Sequence, residues 1–175
     1  MDGVRPARCV CCGQPGAPAG ALKGLHGHGL RERWQLGPLS PEEPPEVRSL
    51  MLRRYQCQRC RTVIVACPRG VLPRLRYGAV AVALALALWA VEGQPGHQVR
   101  AAVSPLPSAG AERFHGWRAL SRWARGSPAL WRRLRARAGD SARGAALETV
   151  RQLAAHAVQP AGALMVDACD GALRC

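Results

Sequence analysis

Cys9-Val10-Cys11-Cys12-Gly13 and Cys57-Gln58-Arg59-Cys60-Arg61 frame the first third of this chain with two cysteine pairs of identical internal spacing. A C-x-x-C step forms a tight knuckle that aims two sulfurs at one ion. Two knuckles together supply the four ligands of a tetrahedral zinc site. Cys9, Cys12, Cys57 and Cys60 are therefore the expected zinc ligands, and residues 1–70 are expected to fold as a zinc ribbon. Gly13 follows its knuckle where the chain bends sharply and a side chain would crowd the turn, whereas Arg61 takes that place in the second knuckle.

Disulfides are the competing use of paired cysteines. Residues 1–20 contain no apolar run of the export type, and Arg5 and Arg8 stand among Pro, Gly and Ala. The expected compartment is the reducing cytoplasm, where such pairs hold metal more often than they form disulfides. A redox pair would need a βαβ context, which flanks neither knuckle.

Between the knuckles, residues 22–36 read as a strand pair or bent strand. Alternation puts Leu30, Trp34 and Leu36 on one side and Arg31, Arg33 and Gln35 on the other, as in a half-buried strand with a basic outer face. Residues 38–46, with four prolines and three glutamates, form a surface loop or hairpin tip. Residues 47–55 return to the second knuckle, and the β-branched run 62–65 leaves it as a short strand.

The 175 residues leave room for two small domains or one larger one, neither with a large core. Net charge is +14, from 25 basic residues against 11 acidic ones. A GC-rich genome explains arginine over lysine but not the scarcity of acids. Residues 48–76 and 113–137 each carry eight arginines and no acid, and solvated faces ordinarily mix both signs. This balance favours a polyanion as partner.

Residues 77–91 carry no charge and, from Ala79 to Leu88, strictly alternate alanine with Val or Leu. Period two suggests a strand, but the run is long for one and alanine is the best helix former, so a buried helix is expected. Fifteen helical residues rise only ~22 Å, short of a ~30 Å hydrocarbon core, which argues against a membrane span. A short helix is expected over 97–103. The next, over 114–125, sets Trp117, Leu120, Trp123 and Ala124 on one arc beside a stripe of Arg118, Arg122 and Arg125.

Gly126 is expected to end that helix, with Ser127-Pro128 starting another over 129–138 that offers Leu130, Trp131 and Leu134 to a core. A last helix is expected after Asp140-Ser141, burying Leu147, Val150, Leu153 and Ala154, before a poorly ordered tail beyond Pro160. The resulting fold class is α+β, with a β-rich ribbon over 1–70, a helical helix-turn-helix-like domain over 71–139, and a helix and tail over 140–175. Four cysteines already fill a structural site, so His26 and His28 are expected to meet backbone or phosphate rather than metal. Cys11 and Cys67 are reserve ligands, Cys67 more naturally a buried small residue, and Cys169 and Cys175 are spare thiols.

The order of these pieces resembles the amino-terminal region of transposase-like proteins of bacterial insertion sequences, a zinc ribbon followed by a helix-turn-helix. The matching residues are Cys9-x-x-Cys12-Gly13 and Leu25-His26-Gly27-His28-Gly29 leading to Arg31 and Arg33. They continue with Tyr55-x-Cys57-x-x-Cys60-Arg61 and Pro68-Arg69-Gly70-Val71-Leu72-Pro73 ahead of the apolar helix. The likeness reaches to about Arg125.

It implies binding to the double-stranded DNA of an element's ends. In that family a separate domain with three carboxylates and two metals carries out strand transfer. Only Asp140, Glu148, Asp167 and Asp170 follow Glu112 here, so a binding module without catalysis of its own is expected. Arg118, Arg122 and Arg125 are then expected at the major groove, or Arg132 and Arg133 of the 129–138 helix in their place. Arg31, Arg33, Arg53 and Arg54 are expected to grip phosphate. The alternatives are an RNA-binding ribbon protein, with only one Phe and two Tyr for stacking, and a zinc-stabilised protein–protein adaptor.

Overall fold

Among the described residues three strands precede five helices: β1 (Leu25–Gly37), β2 (Glu46–Cys57), β3 (Val63–Ala66), α1 (Ala79–Ala90), α2 (Gly96–Val103), α3 (Arg118–Leu130), α4 (Ala142–Ala154) and α5 (Leu164–Ala172). The computed structural model describes residues 5–17, 24–107, 117–131, 133–135 and 141–175. The fold class is α+β. β1, β2 and β3 form one sheet in that order, with β2 and β3 antiparallel in a register that sets Tyr55 opposite Ile64.

The chain divides into two units, one of residues 1–34 and 49–68, the other of residues 35–48 and 69–175. In the first, the ribbon unit, Leu25, Tyr55 and Ile64 are buried with Cys9 and Cys57, and the Arg5 guanidinium lies 5.8 Å over the Tyr55 ring. The expected half-buried strand differs: Leu36 is buried, but Leu30 and Trp34 are 50% and 60% exposed. Alternation identifies which side chains share a face; it does not supply a layer to cover that face.

In the helical unit, α1 is the centre, and α2, α3, α4 and α5 all pack on it. Every residue from Ala79 to Leu88 is buried, so no stripe of polar residues marks a solvent side, and helix propensity governs over the two-residue alternation. No helix among the described residues is long and apolar enough to cross a membrane. Gly37, with φ +105°, lies where a Cβ would run into Ala81 and the Val103 carbonyl, which lets the end of β1 rest against α1. Leu36 N–H donates to Arg76 O (2.8 Å) and Gly78 N–H to Leu36 O (3.1 Å), pinning the start of α1 to that strand end.

The break expected at Gly126 does not form: α3 runs through Gly126, Ser127 and Pro128 to Leu130. Pro128 has no N–H for the Ala124 carbonyl, and the Ser127 hydroxyl donates to that carbonyl instead, at 3.1 Å. The buried Thr149 hydroxyl of α4 sits 2.8 Å from Ser127 Oγ and supports the repair. Consequently no separate helix spans 129–138 among the described residues. Trp131 leaves the helix and is buried, with its indole N–H donating to Ala172 O (3.2 Å).

α4 starts as expected, with Ser141 Oγ accepting from Gly144 N (3.0 Å). Val150 and Leu153 are fully buried, joined by Ala146 and Thr149, while Leu147 and Ala154 are half-buried. The tail beyond Pro160 is helical rather than poorly ordered. Asp167 Oδ1 accepts from Ala161 N and Asp170 Oδ2 from Val158 N, two turn-forming bonds that lead into α5. Ala168, Cys169 and Ala172 of α5 are buried.

Candidate functional site

The two knuckles repeat each other bond for bond. Gly13 N–H donates to Cys9 O (3.0 Å) as Arg61 N–H does to Cys57 O (2.9 Å), and Cys9 N–H reaches Gln14 O (2.8 Å) as Cys57 N–H reaches Thr62 O (3.0 Å). The flanking pairs Arg8 with Pro15 and Gln56 with Val63 complete the correspondence. Both turns end in the left-handed region, Gly13 at φ 72° and Arg61 at φ 61°. Glycine adopts this conformation freely; arginine carries the steric cost of a Cβ near a carbonyl oxygen.

This repetition brings four sulfurs together. Cys9 Sγ lies 3.6 Å from Cys60 Sγ, Cys12 Sγ lies 3.6 Å from Cys57 Sγ, and all four stand within 4.8 Å of one another. A disulfide needs about 2.05 Å, so these are free thiols in non-bonded contact. An ion about 2.3 Å from each of four tetrahedral sulfurs would set them about 3.8 Å apart, a value the observed range brackets. The four cysteines can hold a metal ion.

The local electrostatics favour thiolates in the second knuckle. The hydroxyl of Thr62, 3.3 Å from Cys60 Sγ, and its backbone N–H bring the Cys60 thiol down to about 6. Backbone N–H groups of Cys60 and Arg59 lower Cys57 as well. The Gln14 backbone N–H also acts to lower Cys12, but burial and the neighbouring sulfurs outweigh it and push that thiol up to about 12. Four thiols packed this closely hold protons unequally, and metal binding would release them.

Neither the two histidines, expected to meet backbone or phosphate, nor the reserve ligands Cys11 and Cys67 belong to this group. His26 and His28 are exposed on β1, Cys11 is exposed within its knuckle, and Cys67 is exposed rather than buried. Cys67 lies between β3 and Pro68, with no apolar layer over it. Cys169 is buried against α1, its sulfur 4.0 Å from Val80 O, and burial pushes it up to about 12.

The expected contact arginines separate by unit. On α3, Arg118, Arg122 and Arg125 are exposed, while Leu120, Trp123 and Ala124 are buried and Trp117 is half-buried. Trp117, Trp123 and Tyr77 meet edge to face, with centroids 4.8–5.6 Å apart, which fixes the roll of the helix. Arg133 is exposed outside any helix, and Arg132 lies outside the described residues. In the ribbon unit Arg31 and Arg53 are exposed, and Arg33 and Arg54 are half-buried. Thr62 as a sulfur partner was not read from the sequence, although it occupies in the second knuckle the place of Gln14 in the first.

No protein-family model, curated protein or solved structure matches the chain. Fold and site together define a β unit whose four clustered cysteines could hold a metal ion, followed by a unit that is helical, with five helices among the described residues.

Proposed function

We propose that the protein is a zinc-holding, sequence-selective binder of double-stranded DNA, related to the end-binding regions of insertion-sequence transposases and without catalysis of its own. The observation that carries the reading is the α3 stripe. Arg118, Arg122 and Arg125 are exposed beside a buried face, and among the described residues no carboxylate pairs with them. Such a helix offers a fixed row of guanidinium groups to base edges in the major groove, where arginine pairs with guanine in bidentate fashion.

Zinc is the ion proposed because an all-thiolate tetrahedral set with no open position suits a structural, redox-inert metal. Held there, it would tie the two knuckles together, with Arg31, Arg33, Arg53 and Arg54 of the same unit supplying phosphate contacts. Of the four carboxylates that follow Glu112, Asp167 and Asp170 accept from backbone N–H groups and Glu148 accepts from Gln152 at 2.9 Å, while Asp140 lies outside the described residues.

Binding-site selection from random duplexes, followed by titration of variants, tests the reading. Arg118→Ala or Arg122→Ala is expected to cost ~1–3 kcal/mol on the selected site and much less on random duplex. Arg53→Ala with Arg54→Ala is expected to weaken both and flatten the salt dependence. Equal losses on every sequence from the α3 variants would make those arginines backbone clamps and end the claim of selectivity.

A further inference from the structure

On one face of the ribbon's first two strands, every residue except Arg53 is without a role in the proposed binding of duplex DNA. The Ser49 hydroxyl donates to Glu32 Oε1 at 2.6 Å, and the Trp34 indole N–H donates to the same oxygen at 3.3 Å. These bonds put Glu32 and Trp34 of β1 on one face with Ser49 of β2. The two-residue period adds Leu30 on β1 and Met51 and Arg53 on β2. All six are exposed, with Leu30 at 50%, Trp34 at 60% and Met51 at 60%.

We infer that this face is a stacking platform for single-stranded DNA, with an unpaired base lying on the Trp34 indole. The Glu32 carboxylate holds the indole by its edge rather than by a ring face and limits its rotation, while the residue stays 60% exposed. An aromatic ring already fixed in place loses little entropy when a base stacks on it. Leu30 and Met51 extend the apolar floor, and the exposed Arg53, two residues along β2 from Met51, with a chain charge of +14, complements a sugar–phosphate strand.

The patch suits a base better than a second copy of the chain. Three apolar side chains fall short of the ~800 Å² per partner that a standard interface buries, and two chains of +14 repel each other. The choice of DNA over RNA rests on the proposed function; the platform itself rests on the geometry of Trp34.

The test is fluorescence anisotropy at one fixed salt concentration. The metal-loaded full chain is titrated into a labelled single-stranded DNA, its duplex, the RNA of the same sequence, and anionic lipid vesicles. Trp34→Ala is expected to weaken single-strand binding by about 5- to 100-fold while leaving duplex binding within about twofold. Trp34→Phe should retain most of the affinity because a ring still stacks. Both variants should keep wild-type metal content and melting temperature, since the side chain is exposed.

Wild-type single-strand affinity in Trp34→Ala, or an equal loss on strand and duplex, overturns the inference. So does Trp34-dependent binding that favours RNA or vesicles. Trp34-dependent single-strand binding without any duplex binding would break the groove reading of α3 and leave the platform standing. A chain that binds no nucleic acid refutes both.

Discussion

In the ribbon unit Leu25, Tyr55 and Ile64 gather around four sulfurs, while in the helical unit α1 is buried along ten consecutive residues under four other helices. The two units meet the same demand, offsetting the entropy of an ordered chain, by different means. Leu25, Leu52, Tyr55 and Ile64 make only a small core for a β unit with two knuckles and long exposed strands, and a metal held by the four sulfurs would supply the difference. In the helical unit alanines let helices approach closely, and Trp, Leu and Val residues fill the space between them. The contrast teaches that four clustered sulfurs accompany a small apolar core in one unit, while an extensive apolar core serves the other.

The sharpest way to break this comparison is to remove a ligand. Cys57→Ser is expected to abolish stoichiometric metal binding and unfold the ribbon unit, because apparent binding energies of about 10–16 kcal/mol are folding energy for such sites. Metal analysis combined with far-ultraviolet circular dichroism checks it: helical signal should persist while metal is lost. Full metal content in the variant would remove Cys57 from the site.

Trp131→Ala probes the opposite unit. It deletes a side chain 1% exposed together with its bond to Ala172 O, so a loss of about 3–5 kcal/mol in helical stability is expected, with metal content unchanged. Denaturant melts followed by helix signal measure it. A smaller loss, about 1–3 kcal/mol, is expected for Gly171→Ala, because a Cβ there would run into the Leu153 carbonyl where α5 crosses α4.

The smallest effect sharpens the comparison within the ribbon. Arg61→Gly relieves a left-handed arginine and should stabilise the metal-loaded unit by about 1–2 kcal/mol, whereas Gly13→Ala at the matching place should destabilise it by a similar amount. Competition with a metal chelator would read both shifts. Opposite signs are required by the equivalence of the two knuckles.

Much of the site was legible in the sequence because ligand spacing is local chemistry. A C-x-x-C pair carries its turn with it, and the distance between the pairs only had to be spanned by strands. α1 was legible for a similar reason, alanine propensity outweighing the two-residue alternation. What failed depended on partners distant in sequence. Leu30 and Trp34 were expected to be covered, but both are exposed.

Pro128 was expected to begin a helix, yet the Ser127 hydroxyl and Thr149, 22 residues later, allow α3 to pass through it. The tail was expected to be poorly ordered because its own pattern is weak; Asp167 and Asp170 organise the turn ahead of α5, and the Trp131 indole holds its end. Thr62 escaped notice because a hydroxyl beside a thiolate has no spacing rule of its own.

Hydrogen exchange by mass spectrometry on the full chain, with and without a metal chelator, tests the central claim most directly. The account predicts that stripping metal raises exchange throughout 5–17, 24–34 and 49–68 while 35–48 and 69–107 and the helices α3 to α5 keep their protection. Unchanged protection in the ribbon unit, or loss of protection in both units together, would contradict it.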